Sequence, residues 1–219
     1  MKKIFTETFK KNKWGSSESF SGVGSQLNYT YSIRTNLERI IYSKKINTVF
    51  DCSCGDWNWM KHVDLTGVKY TGNDIVTEIV ERNSRLYGKK NINFTNNDCL
   101  SSLRELQDKS VDLVICRHTL EHLGLEYSIK VCEEIRRVSN YALITSSNID
   151  SENYNLDLIP DGFIARQINL QAAPFLNILG NPSERIMDTR SCPSSQRDYQ
   201  TGKFNGINFY NFLEKKNET

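Results

Sequence analysis

Five short runs of β-branched, aromatic and aliphatic residues punctuate the middle of the chain, with longer stretches of helical character between them. Asn47 to Cys52 (NTVFDC), Lys69 to Asn73 (KYTGN), Asn91 to Thr95, Val111 to Cys116 (VDLVIC) and Tyr141 to Thr145 (YALIT) read as strands. VDLVIC is a continuous apolar run of the kind buried on both faces of a parallel sheet. Between these runs, Trp57 to Val63, Val76 to Tyr87, Ser101 to Gln107 and Leu125 to Val138 read as helices. In the last of them Ile129, Cys132, Ile135 and Val138 recur every three residues along one face. Strands alternating with helices imply right-handed crossovers, so the expected fold is α/β: a Rossmann-like, doubly wound, mostly parallel sheet. Gly206 to Leu213 (GINFYNFL) alternates like a half-buried strand and is the expected antiparallel closing strand.

The chain divides into an N-terminal lead, 1–45, a core, 46–146, and a substrate-side insertion with closing strands, 147–219, all expected to form one domain. In the lead, Trp14 to Ser25 is a Gly/Ser-rich loop and Tyr29 to Tyr42 is helical. Ser147 to Met187 is polar, and Ser191 to Lys203 reads as loop. With 28 basic and 26 acidic residues intermixed, the chain gives no case for nucleic acid as a partner. No apolar run reaches the roughly 20 residues of a membrane span. MKKIFTETFKKNKWG lacks the apolar stretch of a signal peptide, so the expected location is cytoplasmic. The six scattered cysteines read as reduced, buried thiols. Cys52 and Cys54 are too close for a usual zinc half-site, so no metal is expected.

Candidate chemistry gathers where ligands of open parallel sheets gather, beyond the carboxyl ends of the strands. Strand one ends in Asp51-Cys52-Ser53-Cys54-Gly55-Asp56, with Gly55 expected to let the backbone approach a nucleoside. Strand two ends at Asp74, 23 residues after Asp51, a spacing that suits a carboxylate accepting from both ribose hydroxyls. After strand three, Asp98 is placed to take the exocyclic amine of adenine, and the amide of Cys99 to meet a ring nitrogen. Neither G-x-G-x-x-G nor G-x4-G-K-[ST] occurs, so nothing obvious cradles a pyrophosphate. One glycine and three strand-end acids suit a ligand with ribose, adenine and a cation but no phosphate, which is S-adenosyl-L-methionine.

DCSCGDWNWM (51–60), YTGNDIV (70–76) and ICRHTLEHL (115–123) resemble the class I S-adenosylmethionine-dependent methyltransferases. They are most similar to a bacterial subgroup with a D-x-P-C-G-D-[FW]-N-W-M motif, in which Ser53 here replaces the proline. That subgroup's W-G-x-x-x-S-x-S-G-x-G-S segment is matched by Trp14, Gly15, Ser19, Ser21, Gly22, Gly24 and Ser25. Its N-L-Q-x-x-P-F motif is matched by Asn169, Leu170, Gln171, Pro174 and Phe175. The resemblance covers about residues 5 to 180. It implies O-methylation of a sugar or nucleotide-linked sugar in bacterial surface polysaccharide pathways. It also implies cofactor contacts from Trp14, Gly24, Ser25 and Ile75, and substrate contacts from Asn169, Gln171 and Phe175.

Methyl transfer to a hydroxyl needs an aligned acceptor, exclusion of water and a base. His118, two residues past the central strand, is the expected base, and His122 is the second candidate. Arg117 suits the cofactor carboxylate or an anionic substrate group, and Arg34 on the N-terminal helix competes for that carboxylate. The Trp14–Ser25 loop and the Phe163 to Phe175 segment are expected to form lid and acceptor walls around a small polar substrate. Protein or RNA methylation and a non-catalytic cofactor-binding subunit are the alternatives. Oligomeric state is not legible.

Overall fold

The structure, a computed structural model, describes residues 1–14, 16–147, 154–157, 166–187 and 206–213. Seven strands form one sheet: β1 (Thr48–Asp51), β2 (Lys69–Asp74), β3 (Ile92–Asn96), β4 (Val111–Cys116), β5 (Ser139–Ser146), β6 (Glu184–Met187) and β7 (Gly206–Asn211). Their order is β3-β2-β1-β4-β5-β7-β6. The first five pair in parallel, and β7 runs antiparallel to both β5 and β6. Strand order reverses between β1 and β4, which opens a crevice at their carboxyl ends. The doubly wound sheet and its antiparallel closing strand are therefore as expected.

Alternation along the central strands explains why both faces are dry. Phe50, Val114 and Cys116 join one apolar cluster with Val131, Cys132, Ile135 and Val138 of α5 (Leu125–Val138) and Leu103 of α4 (Cys99–Arg104). Val49, Leu113 and Ile115 point the other way, to Ile33, Leu37 and Ile40 of α2 (Tyr31–Lys44). A strand with one residue set for each layer must read as a continuous apolar run, which is what VDLVIC is. Burying each such side chain contributes about 1.5–3 kcal/mol.

Several elements differ from expectation. The helix expected from Trp57 shrinks to a 3-10 turn at Met60–His62, because Trp57 adopts a left-handed backbone (φ +60°). Its indole is buried among the rings of Tyr70, Tyr87 and Phe94. The Ser101 helix starts earlier, as α4, because the Asp98 carboxylate accepts the Ser101 amide at 3.0 Å and caps it. The helix α3 (Thr77–Tyr87) and the strands keep their expected places. Three elements were not anticipated: α1 (Lys2–Lys10), α6 (Phe175–Leu179) and β6. The loop expected at 191–203 lies outside the described residues, as do Gly15, Phe163 and Cys192. The other five cysteines are buried thiols. Among the described residues, no helix is long and apolar enough to cross a membrane.

Candidate active site

A cavity of about 260 Å³ lies at the carboxyl ends of β1, β2 and β4. The strand ends supply Asp51 to Gly55, Asp74 to Val76 and Asn97 to Cys99, and the segment after β4 supplies Arg117, His118, Thr119 and His122. The N-terminal lead supplies Met1, Phe5, Trp14 and Ser21 to Ser25. Asn73 ties the strand ends together: its side chain donates to the carbonyls of Cys52 and Asn97 and accepts from Thr95 and Ser102.

Two of the three strand-end acids are buried carboxylates with few opposing charges. Burial pushes the Asp51 carboxyl up to about 7, and the charge of Asp74 adds to this. The Tyr70 hydroxyl, donating to Asp51 at 2.9 Å, the Ser53 amide and Arg117 oppose the rise. Burial likewise pushes Asp74 up to about 6, although it accepts the amides of Gly55 at 3.1 Å and Val76 at 2.9 Å. Each Asp74 oxygen thus takes one backbone bond, and a carboxylate oxygen can accept a second. Asp98 is different. Burial raises its pKa, but the Tyr127 hydroxyl and Ser101 more than offset this and hold it below the usual range.

The N-terminal segment is fastened to the β1 loop by side chains from both matched motifs. Asp56 accepts the Ser19 hydroxyl and the Phe20 amide, and its own amide donates to the Ser21 hydroxyl at 2.8 Å. Asn58 donates to Glu18 and to the Ser25 carbonyl. Gly55 sits at φ +56°, and a Cβ there would meet the Ser21 hydroxyl at 2.2 Å. The glycine therefore makes room for the fastening of the N-terminal segment, and it also lines the cavity.

Arg117 is buried, donates to the Gly24 carbonyl at 2.8 Å and lies 5.5 Å from the Trp59 ring. The next residue, His118, holds a left-handed backbone (φ +51°), steadied by its amide donating to the Thr145 hydroxyl of β5. Such a conformation costs a non-glycine residue about 1–3 kcal/mol. Its Nδ1 lies 2.7 Å from Glu121 Oε1, with both side chains nearly buried. His122 packs edge-on to Phe5 of α1, with ring centroids 6.2 Å apart, and Phe5 also meets Trp14.

The cavity thus brings together Trp14, Gly24, Ser25, Asp51, Gly55, Asp74, Ile75, Asp98, Cys99, Arg117, His118 and His122. Four expected site residues do not line it. Arg34 turns its guanidinium to the Leu27 carbonyl. Phe175 is fully buried in the core. Gln171 is exposed and accepts from Arg185, and Asn169 exchanges hydrogen bonds with Asn155. These three residues stand away from the cavity for one physical reason: the segment is held by packing and by its own loop bonds. Phe5, Trp59, Glu121 and Tyr127 were not singled out. Glu121 carried a signal in its three-residue spacing from His118, and Trp59 one in its place in the 51–60 motif.

Residues 50–140 match a family described as a methyltransferase domain. No curated protein matches the chain in sequence. Among solved structures, the chain is similar to a Burkholderia thailandensis 1,6-didemethyltoxoflavin N1-methyltransferase holding S-adenosylhomocysteine (TM-score 0.64, 13% identity, covering 96% of this chain and 86% of that one). It is also similar to a Synechocystis magnesium protoporphyrin IX methyltransferase with bound S-adenosylhomocysteine (TM-score 0.60, 14% identity, 95% and 98% covered). A third is a methyltransferase from Archaeoglobus fulgidus described as SAM-dependent (TM-score 0.54, 18% identity, 95% and 98% covered). The fold is that of these methyltransferases, and the domain match together with that fold is consistent with S-adenosylmethionine as cofactor.

Proposed function

We propose that this chain, with a methyltransferase domain at residues 50–140, is an S-adenosylmethionine-dependent methyltransferase that modifies a hydroxyl of a small acceptor. The observation that carries this is the pairing of two buried carboxylates at adjacent strand ends with a histidine after β4 in the same cavity. The residues fit the cofactor. Asp74 keeps acceptor capacity for two ribose hydroxyls, and the ionised forms of Asp51 and Asp74 favour a cationic ligand. Ile75 would flank the adenine, and Cys99 would offer its amide to the ring. Arg117 would meet the methionine carboxylate, Gly24 and Ser25 would close over the amino-acid portion, and Trp14 would shield both the cofactor and the acceptor from water. When bound, the cofactor supplies an electrophilic methyl group on a sulfonium. His118 removes the acceptor's proton, and His122 holds the N-terminal helix over the acceptor.

The resemblance of the motifs favours a sugar or nucleotide-linked sugar of a bacterial surface polysaccharide pathway as acceptor. A specific observation favours a second reading, an acceptor with a flat apolar ring: Phe5, Trp14 and His122 form a contiguous aromatic wall. One experiment separates the two. The protein is incubated with S-adenosylmethionine and either nucleotide-sugars or phenolic and heteroaromatic alcohols, and products are read by mass spectrometry for one added methyl. Methylation of the first group supports the sugar acceptor, and of the second the flat-ring acceptor. Methylation on a nitrogen or on protein would contradict the hydroxyl assignment.

A further inference from the structure

We infer that Glu121 is a positioning residue for His118, fixing the imidazole in the tautomer that leaves Nε2 unprotonated and able to take the acceptor's proton. The inference rests on the reading of His118 as base and adds the group that sets its orientation. Glu121 Oε1 stands 2.7 Å from His118 Nδ1, and the two side chains are only 12% and 13% exposed. An ionised carboxylate can only accept, so Nδ1 must carry the proton and donate it. A free imidazole has no such constraint, and an unanchored ring would place its lone pair on either nitrogen.

The backbone shows that this pairing is held and is not a chance meeting of surface groups. His118 takes a left-handed φ that its side chain disfavours, and the Thr145 hydroxyl on the neighbouring strand receives its amide. On the other side, Glu121 sits in the 3-10 turn Leu120–His122. Arg166 clamps that turn from a remote segment. Its amide donates to the Glu121 carbonyl at 2.9 Å, and its guanidinium donates to the Leu123 carbonyl at 2.8 Å and to the Ser128 hydroxyl at 2.7 Å. Strain at one partner and a half-buried cationic clamp at the other hold the ring and the carboxylate in register. When His118 accepts the proton at Nε2, the resulting imidazolium faces the Glu121 carboxylate, and both stay shielded from water.

The test uses the ligand-free protein labelled with 15N-histidine. With three histidines in the chain, His118→Asn assigns the His118 signals by difference. At alkaline pH the wild type should show a protonated Nδ1 and a bare Nε2 for His118. Glu121→Ala should let the ring relax toward the opposite tautomer and lower kcat by about 10²-fold. Its KM for acceptor and its affinity for S-adenosylhomocysteine should stay within about threefold. Glu121→Gln, which can still accept from Nδ1, should keep the tautomer and lose about tenfold in kcat. A bare Nδ1 in the wild type would overturn the inference whatever the activity. Near-normal kcat in Glu121→Ala, beside an inactive His118→Asn, would overturn it while leaving His118 as base. An active His118→Asn would instead overturn the base assignment, and the tautomer signal would still decide whether Glu121 orients the ring.

Discussion

The two sides of the cleft are built in different ways. On the side proposed for the cofactor, each acid stands at the end of a regular strand: Asp51 on β1, Asp74 on β2, and Asp98 just after β3. Neighbouring strands fix these positions through ladder pairing, and Asp51 pairs directly with Gly72 and Ile115. On the acceptor side, Phe5, Trp14, His118, Glu121 and His122 come from two distant segments joined by side-chain contacts. One side is a property of the sheet, and the other is an assembly of loops and one short helix. Such loop assemblies carry specificity on a rigid scaffold, so relatives can share the first side and differ in the second.

Changing one residue on each side should affect different constants. The largest effect is expected at His118. His118→Asn should lower kcat by about 10²-fold or more while S-adenosylhomocysteine affinity stays within a few-fold, checked by steady-state kinetics and calorimetry. Loss of cofactor affinity in that variant would move His118 to the cofactor side and erase the division. Next is Asp74→Ala, which should weaken cofactor binding by about 10- to 150-fold, since a charged hydrogen-bonding group is removed. Unchanged calorimetric affinity would remove Asp74 from the site.

The placement of the three acids at the strand ends was legible in the sequence because it follows from strand spacing. An acid at the end of each early strand lands in the crevice wherever the helices between them pack. The acceptor side was much less legible. Phe5 lies on a short helix with a marked apolar face, yet nothing local says that this face will meet His122. Asn169, Gln171 and Phe175 lie away from the cavity for the converse reason. Their motif is visible, but Phe175 fills the core beside α5, and a sequence pattern does not separate packing from contact. Gly55 was legible as a special position, but its contact with Ser21, 34 positions earlier, was not, because no local pattern brings the two together.

A smaller effect should appear with pH and on the cofactor side alone. In the ligand-free protein Asp51 titrates near 7 and Asp74 near 6, both raised chiefly by burial. Ribose hydroxyls and a sulfonium favour the ionised forms, so affinity should be full above about pH 8 and fall as the pH drops through 7 and 6. The loss by pH 5 should be about tenfold or more, read by calorimetry across the range. Affinity that rises on acidification would contradict the roles of both acids. The smallest effect is expected at Phe5. Phe5→Ala should raise the acceptor KM by about three- to tenfold through lost apolar contact and leave cofactor affinity unchanged. An equal loss in both constants would show that α1 serves the whole cleft.

The central claim is that the strand-end acids form an S-adenosylmethionine site. Its most direct test is calorimetric titration of S-adenosylhomocysteine into the wild-type protein at pH 8, with Asp51→Asn and Asp74→Ala titrated alongside. The account predicts one site per chain in the wild type and affinity weakened by about tenfold or more in each variant. A wild type that shows no binding, or variants that bind as tightly as the wild type, would contradict it.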